Sequence, residues 1–398
     1  MNDEPPPLYE APAAAFLTWF AQTFMLLFLF LSLIYGVQEL TLFALFLISL
    51  GTGTFAWSRI SLNRLRCRIL LDRYRMFPGE TLTLRLRITN SKMLPLLFKI
   101  DLFVPGALDG HHSGSWVREE IGLLWYQHVD LTRQCHPRRR GVFDLGPPTL
   151  SGGDLFGFFS RKQVGKDRVE VVVYPRRAEI RPLALPRRDF FGVPGTRSPM
   201  EDPIYVFGTR DYQSGRPARG IHWKASARHG RLQEKLCEPA EQQKLLIVLD
   251  TAGFGDESAR EDFERTLEVI ASVALQVDSR GNAVGFTTNG RLIGSARRII
   301  PISRQSQQMA AILEALARVT PAAAEPITEL LARGYRVPWG ASVLFFSYRY
   351  DQYTHAVGAH LRNRHIFMQT VTARQSSPGG VSADFQLGDI LSGGKTKR

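Results

Sequence analysis

Residues 244–278, KLLIVLDTAGFGDESAREDFERTLEVIASVALQVD, decide how the carboxyl-terminal half of the chain folds. The stretch 245–250 is an unbroken apolar run ending in a carboxylate, the pattern of a central parallel strand buried on both faces. Over 257–278, Phe263, Leu267, Ile270, Ala271, Ala274 and Val277 recur with the period of an amphipathic helix. Farther on, 283–287 and 342–346 read as strands. Residues 307–318 read as a helix with Ile312, Leu313 and Leu316 inward, 353–363 as another helix, and 366–371 as a last strand. This alternation predicts a doubly wound α/β domain over 244–373. The Gly- and Ser-rich remainder, 374–398, predicts a flexible tail.

Upstream the period changes to two. Residues 81–90, TLTLRLRITN, place Leu82, Leu84, Leu86 and Ile88 on one face of a strand. Residues 65–71, 96–104, 123–129 and 169–174 read as further strands, punctuated by Pro78-Gly79, Pro105-Gly106 and Gly152-Gly153. Short strands with turn signals and no convincing helix predict an antiparallel β-sandwich over 59–180, a module that positions or binds. Arg138-Arg139-Arg140 reads as a solvated loop.

Before the sandwich lie two uncharged runs, 13–35 (AAAFLTWFAQTFMLLFLFLSLIY) and 40–58 (LTLFALFLISLGTGTFAWS). A helix needs roughly 20 apolar residues to cross a bilayer. Only 36–39 separates the runs, so 13–58 predicts a transmembrane helical hairpin after a tail, 1–12. The leader MNDEPPPLYE lacks the positive n-region of a signal peptide. Trp19 and Trp57 fall near the interfaces. Arg59, Arg64, Arg66, Arg68, Arg73 and Arg75 follow, opposed only by Asp72, which places the soluble part in the cytoplasm. Arg59, Arg64, Arg66 and Arg68 are also candidates for contact with anionic headgroups. The net charge of +13 suits membrane proximity or an acidic partner. Cys67, Cys135 and Cys237 have neither disulfide-framework nor zinc spacing, which suits a reducing compartment.

The segment between the domains, 181–243, reads as a linker around 208–230, GTRDYQSGRPARGIHWKASARHG. Pro217 suits a first helical position and Gly230 the residue just past a helix end. Between them Ile221, Lys224, Ala225 and Arg228 share a face, with Arg219 and Trp223 on a neighbouring one. Such a basic–aromatic strip binds phosphate, a carboxylate-rich partner, or the protein's own acidic residues; internal packing is the default.

The string RDYQSGRPARGIHWKASARHGRL resembles the signature of the bacterial "domain of unknown function 58" family, matching it at Arg210, Tyr212, Gly215, Arg219, Ile221, Trp223, Lys224, Ser226, Ala227 and Arg228. The stretches 140–147 (RGVFDLGP) and 154–157 (DLFG), and Tyr174-Pro175, are similar to other family segments. Arg216 departs from the pattern: the family has an acidic residue there, which would cap a helix starting at Pro217 and pair with Arg219. Arg216 does neither, and Ser214 offers an alternative cap. The resemblance implies a partner, a MoxR-type AAA+ ATPase, and a role in assembling or maturing other proteins. It implies no catalytic activity, and it makes Arg210, Tyr212, Gly215, Arg219, Trp223, Lys224 and Arg228 the candidate binding residues.

Ligands of doubly wound sheets sit beyond the carboxyl ends of strands, so Asp250 is the strand-end candidate. The predicted α/β domain resembles a von Willebrand factor A domain, whose metal site uses Asp-x-Ser-x-Ser there. Here Ala252 and Phe254 hold the hydroxyl positions, and one carboxylate does not make a hard-cation site, so neither metal nor cofactor is predicted. A hydrolase is a second reading, with Ser226 as nucleophile and His222, His229, His355, His360 or His365 as base, but no G-x-S-x-G, H-E-x-x-H or P-loop motif is present. A third is binding of anionic lipid or nucleic acid. The basic residues are dispersed without a recognisable nucleic-acid module, so no specific nucleic acid is predicted. The leading expectation is a non-enzymatic membrane adaptor.

Overall fold

A computed structural model describes residues 13–110, 114–153, 159–181, 201–213, 220–239, 244–294, 296–333, 337–338, 341–364, 366–374 and 383–391. The chain divides into two units, Met1–Arg177 with Leu316–Arg318, and Ala178–Ala315 with Val319–Arg398. It is a mixed assembly of helices and many strands.

The first unit opens with helices α1 (Ala13–Ile34) and α2 (Gln38–Ser61). They pack on each other, and the Ser32 and Thr41 hydroxyls meet at 2.5 Å. Among the described residues α2 is the one helix long and apolar enough to cross a bilayer; 23–34 of α1 is a shorter apolar stretch. Length and composition therefore support one crossing where the sequence predicts two. Large apolar side chains stay uncovered along both helices, including Phe30, Leu33, Leu42 and Phe46. A contiguous apolar surface of that kind marks contact with lipid or with another protein.

The sandwich follows as strands β1 (Leu65–Leu71), β2 (Arg75–Met76), β3 (Leu82–Asn90) and β4 (Leu96–Val104), a short helix α3 (Gly106–Asp109), then β5 (Ser115–Leu123), β6 (His128–Cys135), β7 (Gly141–Leu145), β8 (Thr149–Gly153), β9 (Ser160–Val164) and β10 (Val169–Val173). They form sheets ordered β1-β3-β6, β5-β4-β8-β9 and β2-β10-β7. Leu82, Leu84, Leu86 and Ile88 of β3 meet Phe98, Ile100, Leu102 and Val104 in one buried core. The strand predicted at 123–129 is corrected. Leu123 ends β5, His128 begins β6, and the apolar residues between them form an exposed turn. The Cys67 and Cys135 thiols, pushed up by burial to about 12 and about 11, are held in the unreactive protonated form.

The junction of α2 with the sandwich is specific. Lys92, in the β3–β4 loop, is 8% exposed and donates from Nζ to the carbonyls of Ile60 (2.8 Å), Asn63 (3.0 Å) and Ser61. The Arg161 guanidinium donates to the Arg59 carbonyl at 3.3 Å. Carbonyls at the helix end thus meet two cations, the arrangement the helix dipole favours. Burial lowers the Lys92 ammonium to about 8, so it is still charged at neutral pH. Replacing Lys92 with Met removes the ammonium from the Ser61 and Asn63 carbonyls and is expected to cost about 1–3 kcal/mol. Faster amide exchange at 62–65 in detergent, relative to the strand cores, is the measurement.

The second unit begins with β11 (Glu201–Asp211), helix α4 (Trp223–His229) and β12 (Gln233–Pro239). The segment read as a linker therefore contains an antiparallel strand pair, β11–β12. The α/β part runs β13 (Lys244–Leu249), α5 (Arg260–Ser279), β14 (Ala283–Thr288), β15 (Gly290–Leu292), β16 (Ile299–Ser303), α6 (Gln308–Arg318), β17 (Val319–Ala323), α7 (Ile327–Arg333), β18 (Ala341–Ser347), α8 (Gln352–Asn363), β19 (Phe367–Thr372), β20 (Phe385–Gln386) and α9 (Leu387–Ile390).

Its six-stranded sheet is ordered β16-β14-β13-β18-β19-β20, parallel except for β16. In chain order this is 3-2-1-4-5-6, with β13 at the centre and the direction of winding reversing beside it. Leu245 to Leu249 are all at most 1% exposed, as the unbroken apolar run requires. The flexible tail predicted for 374–398 is corrected over 383–391. Phe385 and Gln386 extend the sheet, Leu387 and Ile390 are buried, and the Asp384 carboxylate accepts from the Thr370 amide (2.7 Å) and hydroxyl (2.9 Å). Three apolar residues, Phe385, Leu387 and Ile390, in a Gly/Ser-rich context are too few for a sequence period, yet enough to complete an edge. The predicted tail 1–12 lies outside the described residues.

Candidate functional site

Two places were singled out by sequence, the strip around Trp223 and the end of β13 at Asp250. They prove to be different kinds of site.

The strip rests on the β11–β12 pair, in which Arg210 lies opposite Glu234 and Asp211 opposite Gln233. Arg210 Nε donates to Glu234 Oε2 at 3.2 Å, and the Glu234 side chain is 8% exposed. Gln233 Nε2 donates to Asp211 Oδ1 at 2.6 Å, and Arg231 pairs with Asp211 Oδ2 at 2.9 Å. The Tyr212 amide donates to the Leu232 carbonyl. Arg210 and Tyr212 are thus framework for the hairpin.

Helix α4 starts later than the sequence predicts. Its N-cap is His222, whose Nδ1 accepts from the Ala225 amide at 3.2 Å. Gly230 closes it with φ +67°, the left-handed conformation that suits glycine. Ser226 faces inward: its hydroxyl donates to the His222 carbonyl (3.1 Å) and accepts from the Gln233 amide (2.8 Å). Both roles hold the helix against β12, and they leave Ser226 engaged rather than poised as a nucleophile. Ile221 is buried and bridges to Glu234.

The opposite side of α4 is bare. Trp223 is 68% exposed, and Lys224, Arg228 and His229 are exposed beside it. Lys224 and Arg228, four apart, share a face. Among the described residues neither has an acidic partner, because Glu234 and Asp211 are engaged by Arg210, Gln233 and Arg231. Arg210 thus meets the protein's own Glu234, as internal packing predicts, while among the described residues the Trp223 indole and the Lys224 and Arg228 cations face outward. Gly215, Arg216, Pro217, Arg219 and Ser214 lie outside the described residues, as do 154–157 and His365.

Asp250 stands at the reversal of winding, and it is sealed. It is 6% exposed, and its Oδ1 accepts from the Ala252 amide (2.9 Å) and from Asn289 Nδ2 (2.8 Å). Asn289, directly after β14, accepts through its own Oδ1 from the Thr251 amide (2.9 Å) and hydroxyl (3.1 Å). One buried amide side chain thus clasps the ends of two adjacent strands, a role no sequence motif announced. Phe254 is fully buried, its ring 5.3 Å from Phe263 and 5.2 Å from Tyr348. Among the described residues no three His, Cys, Asp or Glu side chains converge. His355 and His360 lie on α8, and Arg64, Arg66 and Arg68 are exposed at the start of the sandwich.

Burial pushes the Asp250 carboxyl upward, opposed by its two hydrogen bonds and reinforced by the charge of Asp351. A carboxylate with a raised folded-state pKa contributes stability at low pH that is lost as pH rises through the folded value. Asp250→Asn keeps an acceptor oxygen and removes the ionisation. The variant is expected to melt above the parent at neutral pH, with the gain fading as pH falls towards the ordinary carboxylate range. Paired melting curves across acidic pH are the check.

Residues 208–333 match the family model described as protein of unknown function DUF58. That stretch is a DUF58 region. The matched DUF58 stretch spans both candidate places, from the end of β11 to the end of α7. No curated protein matches. Among solved structures, a CARDB domain from Pyrococcus furiosus in complex with di-metal ions aligns at 9% identity over 27% of this chain and 91% of that one, with a TM-score of 0.19. The alkylpurine DNA glycosylase AlkC of Pseudomonas fluorescens, bound to DNA containing an abasic site analog, aligns at 12% over 36% of this chain and 41% of that one, TM-score 0.19. The sporulation control protein Spo0M of Bacillus subtilis aligns at 9% over 28% and 49%, TM-score 0.17. Likeness at this level carries no argument about function.

Proposed function

We propose that this protein is a non-enzymatic membrane adaptor that presents the exposed face of α4 to an acidic partner surface. The observation that carries the reading is the inversion at the signature: acidic residues are spent inside the hairpin, while Trp223, Lys224 and Arg228 stand outside it. An exposed indole flanked by cations is the composition of an interface anchor. The sealed Asp250 and the engaged Ser226 hydroxyl favour binding over catalysis.

In this reading both α1 and α2 cross the bacterial inner membrane, and the exposed arginines after α2 hold the soluble units in the cytoplasm. The partner is a MoxR-type AAA+ ATPase, as the signature resemblance implies, and the pair acts in assembling or maturing other proteins. The 3-2-1-4-5-6 sheet with its antiparallel third strand supports a von Willebrand factor A-like α/β domain. Detergent extraction with crosslinking, followed by identification of the crosslinked proteins, tests this. Recovery of an AAA+ ATPase by the parent and its loss with Trp223→Ala supports the adaptor; equal recovery by both, or none above background, sinks it.

A further inference from the structure

The turn between β5 and β6 and the loop between β3 and β4 lie together beside the end of α2. The Tyr126 amide donates to the Lys92 carbonyl at 3.2 Å, and the Asn90 amide to the Gln127 carbonyl at 2.9 Å. Asn90 Nδ2 donates to the carbonyls of Leu94 and Leu124, both at 2.9 Å. The Leu124 amide donates to Gln127 Oε1 at 3.2 Å. The two loops are thus one hydrogen-bonded unit, and Tyr126 holds a left-handed conformation, φ 56°, within it. From that unit Lys92 reaches the carbonyls of Ile60, Ser61 and Asn63.

What the loops display is apolar. Met93 is 78% exposed, Tyr126 69% and Trp125 56%, with Leu124 beside them. Nothing in their backbone bonding requires such residues, and in water each is a cost. A single lysine side chain separates them from the end of the helix apolar enough to cross a bilayer. Indole and phenol rings at that level suit the headgroup region, where one end is apolar and the other wet. On the same side Phe159, at the start of the β9 strand, packs edge-on against Phe55 of α2 at 5.4 Å, and the Arg59 guanidinium lies 5.3 Å from the Phe55 centroid. Phe159 therefore meets the helix about 9 Å back from its end, six residues at 1.5 Å per residue.

We infer that the sandwich docks on the bilayer surface through Met93, Trp125 and Tyr126, so that it is seated on the membrane and not carried on a free tether. The occupant of this patch is the phospholipid interface into which α2 is inserted. Lys92 sets the geometry by joining the docking loops to the helix end, and the exposed Arg64 and Arg66 add attraction to anionic headgroups. The inference rests on the reading that α2 spans the membrane.

The test uses the full chain in vesicles of phosphatidylcholine and of phosphatidylcholine brominated near the head of the acyl chains. Tryptophan emission is compared among the parent, Trp125→Phe and Trp57→Phe; each difference spectrum isolates one indole. Both substitutions keep an aromatic ring, so fold and docking survive them. The expected result is that the Trp57 and Trp125 components are both lost in brominated lipid. Loss of the Trp57 component with the Trp125 component retained leaves the span standing and overturns the docking. A Trp125 component that is blue-shifted yet unquenched means a second copy or another protein covers the patch, which also overturns it. If neither component is quenched, the spanning reading falls and the docking with it.

Discussion

Phe254→Ala is expected to destabilise the α/β part of the second unit by about 3–5 kcal/mol, the cost of removing a fully buried aromatic ring. The ring lies between Phe263 of α5 and Tyr348 just beyond β18, at centroid distances of 5.3 and 5.2 Å, so its loss leaves a cavity between two rigid elements. The loop has little room to collapse into it. Gly253 turns with φ +85°, and even a Cβ there would lie 3.2 Å from Tyr348. Calorimetry should show a lower transition for the second unit. The substitution pair Ala252→Ser and Phe254→Ser sharpens the point, since it writes Asp-x-Ser-x-Ser after β13. It removes the same ring and adds hydroxyls to a loop whose carboxylate is already clasped by Asn289. Magnesium is expected not to restore the lost stability. Recovery with magnesium would mean that Asp250 retains a cation site which Phe254 only occupies.

The patterns that could be read along the chain were those whose cause is local. β3 and β13 follow from the alternation of Leu82 to Ile88 and the unbroken run Leu245 to Leu249, because burial on one or two faces dictates the residue at each step. β9 could not be seen: its five residues, SRKQV, are all exposed, and it exists only because β8 offers it a partner. The turn at Leu124 to Tyr126 misled for the converse reason. Its residues are those of a buried strand, but the structure leaves them uncovered. At the signature, Pro217 and Gly230 marked a helix whose end is right, yet whose start is set by His222 accepting the Ala225 amide. Local propensity does not report a histidine cap, or an asparagine such as Asn289 that joins strands far apart in sequence. Nor could composition tell which acidic residues were engaged. That Glu234 and Asp211 lie opposite Arg210 and Gln233 is a matter of register, which only the folded hairpin supplies.

That register makes the second large prediction. Trp223→Ala is expected to weaken the partner complex about thirtyfold or more, the scale of an interface anchor, while leaving the melting temperature unchanged. The two halves of the expectation have one cause. At 68% exposure the indole contributes little to the packing of α4, whose attachment runs through Ser226, His222 and Ile221 on its other side. Arg228→Glu should act in the same direction through charge. It sets an acidic group four residues from Lys224, and against an acidic partner it replaces attraction by repulsion. Its effect should shrink as salt rises, whereas that of Trp223→Ala should not, because screening acts on the cations and not on the buried area of a ring. Arg210→Ala is the informative contrast. It takes the Arg210 ion pair from the buried Glu234 carboxylate, so it should lower stability along with binding, whereas a surface anchor lowers binding alone. Melting curves and binding at two salt concentrations for the three variants separate framework from face. Loss of stability with Trp223→Ala, or unchanged binding with both Trp223→Ala and Arg228→Glu, would return the strip to an internal packing role.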